Sequence, residues 1–364
     1  MTVAHVVDSM EVGGAETVVA ALARIHKAEG LNVSVHCTRY AGALADVLEL
    51  QGIPVHVHRH GSRFGQIASL VRSFRVIRPS VVHCHNAAAT VKGALAARIA
   101  GVSVVVSTRH GLVDGAKWSQ EFKYWFIGRL FCDRVVAVCN AARMNLESGP
   151  LADPAKLRVI PNGAEPASAE PEVPIRVEKA GFQLVNVARL VPEKDHATLL
   201  TAVSIAREHI PDIGLWVIGD GRLCEQLKRL AEELDIAGHV LMLGERRDVQ
   251  QWLAHADAFI LSSISEGLPL SVLEAMAAGL PCILTRVGGM SEVIEQNDTG
   301  LLVEPSDPAA LASAIVTYAT NREHLADIGR RARAIYTQRF TPTRMAQEYL
   351  ALYGQHSRLP RGQS

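Results

Sequence analysis

Glu266-Gly267-Leu268-Pro269-Leu270-Ser271-Val272-Leu273-Glu274 lies between an apolar run, Ala258-Phe259-Ile260-Leu261, and an alanine-rich stretch that stops at Gly279. The run has the length of a buried strand, Gly267 and Pro269 punctuate a loop, and Ser271 to Ala278 is rich in helix formers. Strand, short loop and helix in that order is the building unit of a parallel α/β sheet. One carboxylate is thereby set on the loop and the other on the first turns of the helix. The free N–H groups of a helix start suit an anion such as a diphosphate, and a carboxylate one turn further in can accept from a diol. Two acids at this spacing are equally compatible with a loop charge and a solvated helix residue.

The same alternation runs along the whole chain. In the first half strands are expected at Ala4 to Val7, Val33 to Thr38, Val55 to His58, Val81 to His85, Val104 to Thr108 and Val135 to Cys139, with helices such as Ala15 to Glu29 and Ala88 to Ala100 between them. A stretch rich in Pro, Glu and Ala, Glu165 to Lys179, then reads as a linker. The pattern restarts with Gln183 to Val187, Gly214 to Ile218, Val240 to Leu243, Ala258 to Leu261 and Pro281 to Thr285. At 364 residues the chain exceeds what one core normally supports. The expected architecture is α/β, with two doubly wound Rossmann-like domains, 1–165 and 166–340, facing across a cleft. A last helix, 341–356, carries Met345, Tyr349, Leu350, Leu352 and Tyr353, and a loose tail follows over 357–364.

Composition narrows the class. The chain is 48% hydrophobic and 20% charged with a formal net charge of zero, which is ordinary for a globular enzyme and carries no footprint of a nucleic-acid partner. No apolar run reaches the roughly 20 residues that span a bilayer, and Met1-Thr2-Val3-Ala4-His5 begins a strand without a basic leader. A cytoplasmic location is expected. Six cysteines without a Cys-x-x-Cys pair read as buried thiols. Residues 51–100 hold seven basic residues and no acid. Within them Phe64, Ile67, Leu70, Val71, Phe74 and Ile77 fall at helical spacing with Arg63, Arg72, Arg75 and Arg78 around them. This is either a core-packed amphipathic helix with a solvated basic face or a peripheral docking element for an anionic membrane leaflet.

Several loops at strand ends carry anion-binding chemistry. Arg189 and Lys194 follow the strand Val185-Asn186-Val187 and can clamp a diphosphate from two directions. Gly219 and Gly221 flank Asp220 after the next strand, where glycines allow close backbone approach or a tight turn. Arg246 and Asp248 follow the third strand, and Val287-Gly288-Gly289 reads as a turn. In the first half Gly13 and Gly14 stand between strand one and a helix, without the full Gly-x-Gly-x-x-Gly fingerprint. His110 ends the fifth strand before Gly111, and Asn162 shapes a turn after Pro161. His56, His58 and His60 alternate and read as solvent-facing, and His83 and His85 flank Cys84 as strand-end histidines. There is no Asp-x-Asp pair to hold a divalent ion.

The stretch from Glu266 to Glu274, with Gly267, Pro269, Ala275 and the Gly279-Leu280-Pro281 exit, resembles the acidic signature of retaining glycosyltransferases of family four, the group 1 glycosyl transferases of GT-B architecture. The resemblance implies that Glu266 contacts the donor sugar and Glu274 the nucleotide ribose, with Gly267, Leu268, Leu270 and Ser271 beside them. It also implies that Arg189 and Lys194 hold the diphosphate, that Gly219, Gly221 and Arg246 lie near the nucleotide, that Gly13 and Gly14 form the opposing glycine loop, and that His110 meets the reacting sugar. An activated sugar nucleotide already has a good leaving group, so the enzyme mainly stabilises charge and orients reactants. Front-face transfer with retention is then expected, with catalytic roles for His110, Arg189, Lys194 and Glu266 and no metal or other cofactor. The expected partners are a nucleotide diphosphate sugar, UDP-linked in preference to GDP-linked, and a saccharide or lipid-linked saccharide acceptor. A sugar-nucleotide 2-epimerase and a non-catalytic sugar-nucleotide-binding subunit are the alternatives.

Overall fold

Valine-rich runs of three to nine residues form two parallel sheets, in a computed structural model that describes residues 1–112, 118–166 and 179–357. Most of the linker expected at 165–179 and nearly all of the tail lie outside the described residues. The chain divides into two units, Met1–Gly163 with Pro342–Ser364, and Ala164–Thr341.

The first unit holds seven strands: β1 (Thr2–Ser9), β2 (Asn32–Tyr40), β3 (Val55–Val57), β4 (Val81–His85), β5 (Val104–Arg109), β6 (Arg134–Ala137) and β7 (Leu157–Val159). Their order is β3-β2-β1-β4-β5-β6-β7, and every pairing is parallel. β1 and β4 are neighbours although two strands and three helices separate them in sequence, so the chain winds outward from β1 to one edge and then from β4 to the other. The gap above the carboxyl ends of such a pair is where open α/β sheets bind ligands. β4 is buried at every position, as a strand covered on both faces must be.

The last helix, Pro342–Ser357, packs against the first helix, Gly14–Ala28, within this unit. Its Tyr353 hydroxyl lies 2.7 Å from His83 Nδ1, and its Tyr349 hydroxyl lies 2.9 Å from Thr108 Oγ1. The 16-residue helix is thus bonded to the two central strands.

The second unit repeats the winding with β8 (Phe182–Val187), β9 (Ile213–Ile218), β10 (Val240–Gly244), β11 (Ala258–Leu261), β12 (Cys282–Thr285) and β13 (Gly300–Val303). The order is β10-β9-β8-β11-β12-β13, again all parallel, which places the switch of direction between β8 and β11. One core layer joins Leu184, Leu215, Val217 and Ile260 of the sheet to Leu199, Val203, Leu311 and Ile315 of the covering helices.

Two edge strands, β7 and β13, were not expected. They are three and four residues long, too short to show a period, and each is recruited by the strand beside it. The helix Arg63–Ile77 forms as expected but seats differently: Leu70, Val71 and Phe74 are buried, whereas Phe64 is 86% exposed. Phe64 belongs to the first turn, beyond the reach of the sheet. The solvent-facing reading of His58 also fails. β3 ends at Val57, and His58 turns inward, 2.9 Å from both His36 Nδ1 and Ser69 Oγ.

Candidate functional site

In the second unit, β8 and β11 each deliver a loop at the switch point. Buried Asn186, on β8, donates from Nδ2 to the carbonyl of Ile260 on β11 at 2.8 Å, and its Oδ1 lies 3.1 Å from His196 Nε2. This ties the two loop roots together. After β8 the chain turns through Pro192–Lys194 to Asp195, whose left-handed backbone (φ 46°) lets its carboxylate cap the helix His196–Arg207 at Thr198. Burial, with a smaller effect from the Lys194 charge, pulls the His196 pKa down to about 4, so this ring is neutral.

The second loop is held from both sides. Ser262 Oγ lies 3.0 Å from the carbonyls of Lys194 and Asp195, and the Ile264 N–H donates to the Glu193 carbonyl at 3.0 Å. Ser263 donates to Glu266 Oε1 at 2.7 Å, and Thr285 donates to the Ser263 carbonyl at 2.5 Å. Lys194 Nζ pairs with the same Glu266 oxygen, and both side chains are largely buried. Behind them Gly288 has φ 52°, and a Cβ there would lie 1.8 Å from the Glu266 carbonyl oxygen. The Gly289 N–H donates to the Gly267 carbonyl at 2.8 Å. The glycine pair is the floor on which the Glu266 loop rests.

Arg189, by contrast, is exposed, and its side chain makes no hydrogen bond or ion pair among the described residues. A lysine held by a carboxylate and a free guanidinium therefore stand on one loop, available to an anion. The helix Leu270–Ala278 begins at Pro269 without a side-chain cap, and Leu268 and Leu270 are buried beneath its start. Ser271 is part-buried in its first turn, and Glu274 follows one turn on. Burial raises the Glu274 pKa to about 7, which marks a carboxylate poor in stabilising partners.

Gly219 (φ 135°) and Gly221 are explained by the chain itself. A Cβ at either would lie 2.0 Å from the Ala188 carbonyl oxygen or 2.4 Å from that of Leu190. They let the loop after β9 pack against the loop that bears Arg189. Arg246 is engaged by its neighbour, with Nε and Nη2 at 2.8 and 2.7 Å from the two Asp248 oxygens, and sits 5.6 Å from the Trp252 ring centroid.

In the first unit the candidate residues fall at the carboxyl ends of the central strands. Gly13 precedes the helix Gly14–Ala28, whose start has no side-chain cap, and open space surrounds a Cβ position at Gly14. His110 follows β5; its N–H donates to Asn86 Oδ1 at 3.2 Å, and its Nε2 lies 3.1 Å from His85 Nδ1. Desolvation lowers the His110 pKa to about 4, against an opposing hydrogen bond from the Asn162 side chain. Its neighbour Arg109 is buried in an ion pair with Glu121 at 2.9 Å.

Sequence reasoning missed Asn186, His196, Ser262 and Ser263, which position the Lys194–Glu266 pair, and the bonding of His110 to His85. The doublet Ser262-Ser263 directly after an apolar strand was the available signal for two of them. The histidines carried none, because their contacts join strands far apart in sequence.

Comparisons with known proteins fit this geometry. The family description "Glycosyl transferases group 1" matches residues 173–335, and "Glycosyltransferase Family 4" matches residues 12–168. A UDP-Gal:alpha-D-GlcNAc-diphosphoundecaprenol alpha-1,3-galactosyltransferase of Escherichia coli is 28% identical over 71% of this chain and 72% of its own. A GDP-mannose-dependent alpha-(1-6)-phosphatidylinositol monomannoside mannosyltransferase of Mycobacterium tuberculosis is 30% identical over 64% of this chain and 65% of its own. Among solved structures, Anabaena HepE in complex with UDP-glucose superposes with a TM-score of 0.87 at 22% identity, covering 98% of this chain and 100% of that one. Sucrose-phosphate synthase from Thermosynechococcus elongatus gives 0.80 at 19% identity, covering 97% and 98%. Both share the fold.

Proposed function

Because the chain belongs to the group 1, family 4 glycosyltransferases, we propose that it transfers a sugar from a UDP-linked donor to a saccharide or lipid-linked saccharide, with retention of configuration and without a metal ion. The observation that carries this reading is the switch point of the second sheet. There the exposed guanidinium of Arg189 and the Glu266-held ammonium of Lys194 share a loop. Their two positive charges would neutralise a leaving diphosphate, the task a divalent ion performs elsewhere. Glu266, restrained by Lys194, Ser263 and the Gly288 floor, would orient the sugar rather than move a proton. Glu274 would accept from the ribose diol, and His110, a neutral ring, would support the reacting carbon.

A nucleophilic carboxylate is not required when the leaving group is a diphosphate. In front-face transfer the bond from the anomeric carbon to the diphosphate oxygen breaks, the acceptor oxygen bonds to the same face, and the departing diphosphate takes the acceptor's proton. The alpha linkages named for both relatives fit retention from an alpha-linked donor. The Escherichia coli relative supports UDP and a lipid diphosphate acceptor. For such an acceptor the helix Arg63–Ile77 offers a contact surface, with Phe64 and Val76 more than 80% exposed and Arg72, Arg75 and Arg78 exposed beside them. No helix among the described residues is long and apolar enough to cross a membrane.

A thermal-shift and hydrolysis screen of UDP- and GDP-sugars tests the donor, since a bound ligand stabilises with the logarithm of its concentration. The product anomer tests retention, and unchanged turnover in EDTA tests metal independence. An epimerised sugar formed from donor alone would replace transfer by isomerisation. Co-sedimentation with anionic vesicles that survives charge reversal at Arg72, Arg75 and Arg78 would remove the docking surface.

A further inference from the structure

A second polar cluster stands in the first unit and uses none of the residues placed so far. Asp8 on β1, Thr38 on β2 and Lys92 on the helix Asn86–Ile99 close a triangle. Thr38 Oγ1 donates to Asp8 Oδ1 at 2.7 Å, and Lys92 Nζ donates to Thr38 Oγ1 at 2.6 Å and to Asp8 Oδ1 at 3.3 Å.

The backbone aims these side chains. Val7 pairs with Cys37 and Ser9 with Tyr40, so Asp8 alone faces two residues of β2. Such a bulge re-aims side chains and recurs beside active sites. Val7 packs with Val19, Ala20 and Ala23 of the helix Gly14–Ala28, so the alternation of a strand turns Asp8 to the opposite face. On that face the helix Asn86–Ile99 comes close, since a Cβ at Gly93 would meet Cys84 Sγ at 2.7 Å and Val6 at 3.1 Å. Lys92 is the residue before that glycine. Gln66, on the helix Arg63–Ile77, donates from Nε2 to the Thr38 carbonyl at 2.8 Å and holds the third corner.

The triangle leaves bonding capacity unused. Oδ1 of Asp8 takes both contacts, while Oδ2 has no hydrogen-bond partner among the described residues and the side chain is 30% exposed. Lys92 spends two of its three ammonium donors. A purely structural pair gains by using both carboxylate oxygens. This one keeps the second free near the carboxyl ends of β1 and β2, next to the switch between β1 and β4.

Charge then selects the ligand. The ammonium is neutralised by the carboxylate beside it, so the pair holds no excess positive charge for a phosphate and no excess negative charge for a metal ion. What remains is one acceptor and one donor side by side, the pattern of two neighbouring hydroxyls on a sugar ring. We propose that Asp8, Thr38 and Lys92 form a saccharide subsite, in which Asp8 Oδ2 accepts from one ring hydroxyl, the spare Lys92 N–H donates to the oxygen of its neighbour, and Thr38 positions both. That this saccharide is the acceptor of transfer rests on the reading above; the binding itself does not.

Saturation-transfer NMR of the full chain with the methyl α-glycosides of glucose, galactose, mannose and N-acetylglucosamine tests the binding directly. At least one glycoside should receive saturation from the protein. Asp8→Asn and Lys92→Gln, each checked for folding by its melting curve, should weaken that binding about 10- to 100-fold, the worth of a hydrogen bond to a charged group. KM for the glycoside as acceptor should rise by the same factor, while calorimetry with the UDP-sugar that the donor screen selects should find donor affinity as in wild type. Thr38→Ser, which keeps the hydroxyl, should bind like wild type, and Thr38→Val should not.

No saturated glycoside, or saturation that survives both charge variants, overturns the proposal. So does inorganic phosphate that binds the wild type and is lost in Lys92→Gln, since the pair would then be an anion site. Should both variants fail to fold, the assigned Asp8 Cγ resonance of wild type decides, because it must move as the glycoside is added. A chain that binds no UDP-sugar but shows Asp8-dependent glycoside binding defeats the transfer reading alone. A chain that transfers sugar with its acceptor KM unaltered in Asp8→Asn defeats the subsite alone.

Discussion

Lys194 and Glu266 lie 72 residues apart and meet in an ion pair whose side chains are only 15% and 8% exposed. A pair this buried is costly to halve, because removing one partner leaves an uncompensated charge in a poor solvent. Lys194→Ala should lose about 3–5 kcal/mol of stability and on the order of a hundredfold in turnover. Combined Lys194→Met and Glu266→Leu should recover much of the stability and none of the activity. Denaturant melts set beside transfer assays check both, and a fully active Lys194→Ala enzyme would remove the lysine from the mechanism.

Arg189 gives the cleaner functional test because nothing in the described chain depends on it. Arg189→Ala should leave the melting curve within about 0.5 kcal/mol of wild type. Donor affinity should fall about 10- to 100-fold, the worth of a charge-assisted bond to phosphate. Calorimetric titration with the UDP-sugar decides it. Equal affinities would mean the guanidinium is only a surface charge.

Glu274 should impose a pH dependence on donor binding. Its carboxyl holds a proton up to about pH 7 in the fold, whereas the unfolded chain releases it near 4.5. The native state therefore binds the extra proton between those values, and the associated stability is lost as pH rises through about 7. Glu274→Gln should match wild type at pH 5 and exceed it by about 2–3 kcal/mol at pH 8. Donor affinity of wild type should climb from pH 6 to pH 8 as the acceptor carboxylate forms, and that of the variant should stay flat. Parallel profiles would sever Glu274 from the ribose.

Gly288→Ala tests whether the loop floor matters. Its Cβ would lie 1.8 Å from the Glu266 carbonyl oxygen, and φ 52° is strained for alanine. The loop must shift, so turnover should drop at least tenfold although no ligand-facing group has changed. Gly14→Ala, where open space surrounds the Cβ position, serves as the comparison and should fold normally. An active Gly288→Ala enzyme would show that the loop tolerates displacement.

Acid should destabilise the protein through its buried histidines. His5, His26, His36, His58, His83, His85 and His110 all have lowered pKa values, burial being the main cause in each. Below about pH 6.5 the unfolded chain binds protons that the native chain refuses, so stability is full above that value and is lost as pH falls toward about 4. Each site contributes up to about 1.4 kcal/mol per pH unit. Calorimetry at pH 6 in buffers of different ionisation enthalpy should register uptake of several protons on unfolding. A melting temperature constant from pH 7 to pH 5 would contradict this.

The two sheets were legible because a buried parallel strand is a continuous apolar run, and because strand, loop and helix alternate with few exceptions. Ala258–Leu261 appears with the bounds its composition suggested. Residues 157–159 and 300–303 were not legible, since strands this short exist only because β6 and β12 lie alongside to pair with them. Glu266, Lys194 and Arg189 could be nominated from residue type and place at strand ends. Their states could not: that Lys194 is held and Arg189 is free follows from which loop packs on which.

The sequence by itself determined that this chain builds two doubly wound α/β domains with glycine-bearing loops at their strand ends, because hydrophobic period, turn residues and helix stops are local properties written in consecutive residues. Only the tertiary structure decided that Gly219, Gly221 and Gly288 serve backbone packing, that Ser262 and Asn186 fix the Lys194–Glu266 pair, and that His85 and His110 meet. Those are contacts between segments distant in sequence. Their distances and desolvation are set by strand order, and no local pattern of residue types encodes them.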